Sequence, residues 1–370
     1  MGLMPQASAA ASKPLGVIDA LQRGFNLINR HLWLLLPPLV VDIFLWRGPR
    51  LSIAPLIDRQ FDLLMQQAAS ATSMPAEATA MIEGLRQSLV SFNLFSLLAG
   101  VITGLPSYLA RLDAAASLGE GGRVALVADA QPALLYAAAL VPIGLLIGSL
   151  WLALIVRSLS AETDEAASSG RKTTPAVAAE NVGAERLSWG QTLRRIGWAW
   201  LNLGLYLAAL FAATFVAFFL FVIVMALLVA VAGANGVALA SVAWLIFVWA
   251  VLWVGIGLSF VVSAIVLDGV NVARAAWRSF NVVGRNLTAT IGLLLLSFVL
   301  TEGFARIWLL LSGNSWGVPI GMVGYAYIGA ALTAATLFFY RARYQHWQRA
   351  RSAVTTARRQ GADEFPTQQQ

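Results

Sequence analysis

GWAWLNLGLYLAALFAATFVAFFLFVIVMALLVAVAGANGVALASVAWLIFVWAVLWVGIGLSFVVSAIVL, residues 197 to 267, is apolar almost throughout and is interrupted only at GANG, residues 233 to 236. A helix rising 1.5 Å per residue needs about 20 apolar residues to cross bilayer hydrocarbon, so this run holds two crossings. The glycines and asparagine of GANG predict a tight turn. The stretch therefore reads as a membrane hairpin, with spans over 197–232 and 237–267.

Working outward, a charged segment at 268–286 leads into a span at 287–311, the loop SGNSWG, a span at 318–340 and a basic, then disordered tail at 341–370. Upstream, 133–157 is a clear span, followed by a polar, flexible linker at 158–188. A first span is expected at 28–47, kinked by Pro37 and Pro38. Between the first two spans, 48–131 reads as an extracytoplasmic helical insertion whose apolar positions Leu56, Phe61, Leu64 and Met65 recur with helical spacing. Within it, LVSFNLFSLLAGVITGLPSYL, residues 89–109, is apolar but broken by Asn93, Gly100, Gly104 and Pro106. That segment reads as re-entrant or interfacial.

Composition leaves little alternative to a membrane. Hydrophobic residues make up 59% of the 370, charged residues 12%, and the mean hydropathy is +0.73. So few charges cannot clothe a water-soluble surface. The net charge of +7 raises the question of nucleic acid, but the arginines flank apolar runs, where they set topology and meet anionic headgroups. Many of the 13 tryptophans lie toward the ends of those runs, as interfacial anchors do. No A-x-A-like site follows the first run, so it is expected to stay as an anchor rather than be cleaved.

The positive-inside rule fixes the count. With six spans and a cytoplasmic N-terminus, 18 of 25 Lys and Arg residues lie inside: 3 before the first span, 6 in the linker region, 3 in 268–286 and 6 in the tail. A seventh crossing at 89–109 would invert everything after it. The expected architecture is all-α: a polytopic helical membrane protein with about six transmembrane helices, both termini cytoplasmic, in a bacterial plasma membrane.

The chain also repeats itself. RGFNLINRHL (23 to 32) matches RSFNVVGRNL (278 to 287) without a gap, pairing Arg23, Phe25, Asn26 and Arg30 with Arg278, Phe280, Asn281 and Arg285. Each copy leads into an apolar run. Its physical content is an amphipathic helix in the cytoplasmic interface, arginines toward headgroups and Phe toward acyl chains, bending into a span. Asn26 and Asn281 are expected near the bend, where an amide can satisfy a loose backbone group. Elbows are thus expected at 15–31 and 268–286, and a weaker third at 187–196 within LSWGQTLRRIGWAWLNLGL (187 to 205). They precede the first, third and fifth spans, giving three elbow-plus-hairpin units.

The patterns around Arg23 to Leu32 and Arg278 to Leu287 resemble the membrane domains attached to some bacterial glycerophosphodiester phosphodiesterases and related integral membrane proteins. The likeness covers the elbows and their spans. It implies membrane architecture and not hydrolysis, since no stretch is long enough for a soluble catalytic barrel.

Chemistry-bearing residues are few. There is no cysteine, and His31 and His346 lie at opposite ends of the chain without a second ligand at metal spacing. P-loop, G-x-S-x-G and H-E-x-x-H patterns are missing, as is a dinucleotide fingerprint around Gly255 and Gly257. No cofactor or catalytic residue is expected. Asp42 lies inside the first apolar run, where an ionisable group is costly. Glu302 and Arg306 are four residues apart on the fifth span, which favours an intrahelical ion pair. A contact between Asp42 and Arg306 would join all three into an intramembrane polar cluster, although a hydrated interfacial Asp42 and a plain salt bridge are the simpler reading. Gly100 with Gly104, Gly144 with Gly148, and Gly317 with Gly321 have the spacing of close helix packing.

The function expected is that of a non-enzymatic structural or accessory component, partnered by the bilayer, by anionic headgroups at the elbows, and by another membrane protein or a second copy. The alternative is a small-solute transporter or permease subunit, in which broken helices and midplane charge mark the substrate site.

Overall fold

The computed structural model describes residues 15–71, 76–100, 103–111, 123–169, 189–232, 234–313 and 316–363. It is 86% helical, and the all-α class is as expected. Helices α1 (Val17–Arg30), α2 (Leu36–Arg47), α3 (Ala54–Ala71) and α4 (Ala76–Val90) are followed by α5 (Ala130–Ser169) and α6 (Trp189–Ala232). Then come α7 (Ala234–Leu258), α8 (Val261–Asp268), α9 (Val272–Arg285), α10 (Leu287–Leu311) and α11 (Gly317–Asp363). Among the described residues, five helical segments are long and apolar enough to cross a membrane, and the count reaches six if the bent α1 and α2 pair is one span.

Five boundaries differ from expectation. The first span is no single kinked helix: α1 stops at Arg30, a 3-10 turn covers Leu32–Leu35, and α2 leaves at 95° to α1. Pro37 and Pro38 fall in the first turn of α2, where a missing N–H costs nothing. Residues 158–169, expected in the linker, continue α5; the remainder, 170–188, lies outside the described residues. The tail from Arg341 continues α11 as far as Asp363, and 364–370 lies outside the described residues. The third elbow is not a separate helix, because α6 runs unbroken through 189–232. The reason is local: α1 and α9 end at His31 and Asn286, whereas no such stop follows Arg195, and Gly197 is tolerated in an open position. Residues 234–236 of GANG, expected in the turn, are already part of α7, and residue 233 lies outside the described residues.

The two matching helices are alike in build. Each has 14 residues, a basic last turn, and a terminal residue near φ −130° that breaks the helix before the next one starts. Asp19 reaches back to the N–H of Gly16 at 3.2 Å, and Asn271 caps α9 by accepting from the Arg274 N–H at 3.1 Å. α1 buries Ala20, Leu21, Gly24, Leu27 and Ile28. Gly24 lies so close to α11 that a Cβ there would stand 2.3 Å from the carbonyl oxygen of Ala331. That approach is matched by a run of fully buried alanines on α11, at 326, 330, 331, 334 and 335.

The core between α1, α5, α8 and α11 is filled by large side chains, with Trp151, Phe260, Phe339 and Tyr340 fully buried. Phe260 stacks on Phe339 at 5.6 Å. Against it, α9 is fastened by Ser279, which donates to the carbonyl of Gly257 at 2.6 Å and accepts from the Phe260 N–H at 3.1 Å. The hairpin of α6 and α7 stands apart, held by Phe221 against Phe247 (4.4 Å) and Trp244 (5.5 Å). Outside the helical body, α3 and α4 are joined by Arg86, which bonds Asp58 at 2.9 Å and whose pKa that bond raises. A short parallel ladder pairs β1 (Arg50–Ser52) with β2 (Val124–Leu126).

Candidate functional site

The polar centre of the molecule is built on a segment that is not helical. After a 3-10 turn over Leu94–Leu98, the chain folds back on itself through Gly100 and Gly104, both with left-handed φ (+88° and +74°). Only glycine adopts that conformation without strain. The N–H of Gly100 bonds the carbonyl of Leu105 at 2.8 Å, which closes the loop. Glycines on neighbouring helices make room for it. A Cβ on Gly144 would lie 2.6 Å from the Leu97 carbonyl oxygen, one on Gly148 would lie 2.1 Å from that of Thr103, and one on Gly329 would lie 2.3 Å from the Pro106 ring. The pairs 144/148 and 100/104 thus serve loop packing rather than helix packing.

Irregular backbone among apolar helices must find partners for its N–H groups. Asp42 supplies them. It is the one charged residue wholly buried among the described residues, at 0% exposure. Its carboxylate accepts a short bond from the Ser107 hydroxyl, and it accepts from the N–H groups of Tyr108 at 3.1 Å and Leu109 at 3.2 Å. The Ser107 oxygen in turn accepts from the Ala110 N–H at 3.0 Å. Asp42 therefore acts as the cap of the turn at 107–110, and the simpler reading of a hydrated interfacial carboxylate does not describe it.

Glu302 is also engaged, but by a residue that sequence reasoning missed. Arg111 grips it with both arms, at 3.0 and 2.8 Å, in a bidentate pair. The Arg111 guanidinium lies 5.8 Å from the Tyr325 ring centre, and Tyr325 in turn packs against Tyr108 at 6.0 Å and Trp308 at 6.3 Å. Arg306 is exposed and joins neither acid. The expected Glu302 and Arg306 pair gives way because a solvated i,i+4 contact is worth little beside a half-buried fork. Of the three residues expected to cluster, two flank Tyr108 and Tyr325, and Arg306 is replaced by Arg111. The signal in sequence was an arginine directly after the apolar 89–109 run.

The repeat residues divide by role. Phe25 packs on Tyr327 at 5.7 Å, while Arg23, Asn26 and Arg30 are exposed. Phe280 wedges against Gly257. Asn281 donates to the Trp277 carbonyl at 2.9 Å, within its own helix and away from the bend. The amide that serves the bend is Asn286, which donates to the Val282 carbonyl at 3.0 Å and accepts from Arg343 at 2.8 Å. Arg278 pairs with Asp268 at 2.5 Å, and Tyr340 donates to the same carboxylate oxygen at 2.7 Å. Burial alone would lower the Arg278 pKa, but the bond and charge of Asp268 outweigh it and the net direction is up. Arg285 lies over the Trp347 ring at 5.0 Å.

No family model, curated protein or solved structure matches the chain.

Proposed function

We propose that the chain is a non-enzymatic structural or accessory component of a membrane complex in the bacterial plasma membrane, with both termini in the cytoplasm and the 93–111 segment inserted from the outer side. The observation that carries this reading is the commitment of Asp42. A transport path or reaction centre needs buried polar groups that can exchange partners with a ligand. Here the wholly buried carboxylate is consumed in holding the turn at 107–110, and Glu302 is consumed by Arg111. In this reading α1 and α9 lie along the inner leaflet as elbows, with exposed arginines toward anionic headgroups.

Extraction of native membranes in mild detergent, followed by native electrophoresis, tests the proposal. A discrete species well above the 39.5 kDa chain supports it. A lone monomer with no stable partner or bound lipid sinks it.

A second reading, a small-solute permease, draws on one observation: non-helical backbone packed among helices, which in transporters marks the binding region. Solute uptake into proteoliposomes that disappears with Asp42→Asn would favour it over the first.

A further inference from the structure

We infer that the junction of α9 with α11 is a binding site for a phosphate group, carried by an anionic lipid or by a soluble phosphate ester. A cavity of about 170 Å³ opens between the two helices and is lined by Arg278, Arg285, Arg343 and Arg351, with the indoles of Trp277 and Trp347. No carboxylate is among the lining residues. Asp268 bonds Arg278 but is not among the residues that line the cavity. Arg343 donates to Asn286 at 2.8 Å and to the Leu15 carbonyl at 3.0 Å, while its buried Nε has no hydrogen-bond acceptor. Arg285 and Arg351 lean on the same Trp347 ring, at 5.0 and 5.6 Å from its centre.

Four guanidinium groups share one concavity, the charge of Arg278 answered by Asp268, and together they keep its potential positive. A ligand with several oxygen acceptors on one centre meets that potential and matches the planar fork of arginine, which describes phosphate better than halide or carboxylate. The mouth is flanked by the exposed Trp277 ring, at 72%, of the kind that sits at headgroup level. That surrounding favours a lipid as the carrier of the phosphate. The lipid form rests on the placement of α9 along the inner leaflet proposed above, while the cavity uses none of the residues around Asp42.

The test uses the purified full chain. Native mass spectrometry from micelles holding equal phosphatidylglycerol and phosphatidylcholine reads lipid preference, and calorimetric titration with inorganic phosphate and with glycerol 3-phosphate reads a soluble ligand. Arg285→Gln with Arg351→Gln removes two cavity charges, and Arg274→Gln, at an exposed position on the same helix outside the cavity, is the charge control. A preference for phosphatidylglycerol that falls about tenfold in the double variant and holds in the control supports the lipid form of the site. Titration heats lost in the double variant alone, without lipid preference, support the soluble form. Equal behaviour of the wild type and a monodisperse double variant in both assays overturns the proposal, as does an equal loss in the Arg274 control. Arg285→Lys, which keeps charge and loses the fork, gives an intermediate affinity if the site is a true phosphate cradle.

Discussion

Asp42 of α2 and Ser107 of the 103–111 segment, 65 residues apart in the chain, are bonded side chain to side chain where both are buried. The contact ties the first helices of the molecule to the irregular backbone of the 103–111 segment. It defines what the acid is for: three donors converge on it, and each would be left without an acceptor in its absence.

Replacement of Asp42 is therefore expected to cost more than the loss of a charge. Asp42→Ala orphans the Ser107 hydroxyl and two backbone N–H groups, for about 3 kcal/mol or more of stability. Asp42→Asn keeps one acceptor and costs about 1–2 kcal/mol. Unfolding in detergent followed by tryptophan fluorescence checks the order, and equal stability of the alanine variant and the wild type would refute the capping role.

Arg111 and Glu302 form a bidentate pair across 191 residues of sequence. A double-mutant cycle with Arg111→Gln and Glu302→Gln is expected to give a coupling of about 1–3 kcal/mol. The same cycle with Arg306 in place of Arg111 is expected to give about zero. Additive losses in the first cycle would dismiss the pair as incidental.

Glycines on the two repeat helices separate packing from permissiveness. Gly24→Ala drives a methyl into the Ala331 carbonyl and is expected to destabilise by about 1–3 kcal/mol. Gly284→Ala on α9 meets nothing within 4 Å and is expected to be neutral or to stabilise by up to about 1 kcal/mol through helix propensity. Thermal denaturation of the two variants side by side reads the contrast; the reverse order would contradict the close crossing of α1 and α11.

The lack of native cysteine makes topology directly measurable. Arg59→Cys on α3 is expected to react with a membrane-impermeant maleimide in intact spheroplasts. Gln348→Cys on α11 is expected to react only after lysis. Equal labelling of both before lysis would place the two ends of the molecule on one side and refute the six-span arrangement.

The span at 287–311 was legible to the residue, because Asn286 and the apolar run announce both ends. The hairpin at 197–267 was plain in its apolar length, but the break at Ser259 and Phe260 that divides its second leg into α7 and α8 was not. Length of helix beyond the membrane was not legible. Residues 158–169 and 341–363 are polar and read as linker and tail, yet helix formers such as Ala, Glu, Gln and Arg carry both helices onward. Asp42 was visible as an anomaly, but two of its three partners are backbone N–H groups that no side-chain pattern encodes, and the third, Ser107, lies 65 residues away. Arg111 was overlooked because pairing across 191 residues leaves no spacing to recognise. The weak third copy failed for the opposite reason: its basic pattern was present, but the helix-stopping residue that makes a bend was missing.

Helix α6 makes membrane thickness a variable of this structure. Its apolar stretch Leu193–Leu228 has 36 residues, about 54 Å of helix at 1.5 Å per residue, against about 30 Å of hydrocarbon. Spanning with the whole stretch inside would take a tilt near 56°, beyond the usual range of about 0–40°. Its most apolar window buries nothing against the rest of the molecule, and the packing is at its start, where Ala199 and Leu203 are buried and Trp198 and Trp200 bond the carbonyls of Gly269 and Pro142. Beyond that anchored start the hairpin meets lipid alone: a thicker bilayer favours it upright, and a thinner one bends it over or forces its ends into the headgroups.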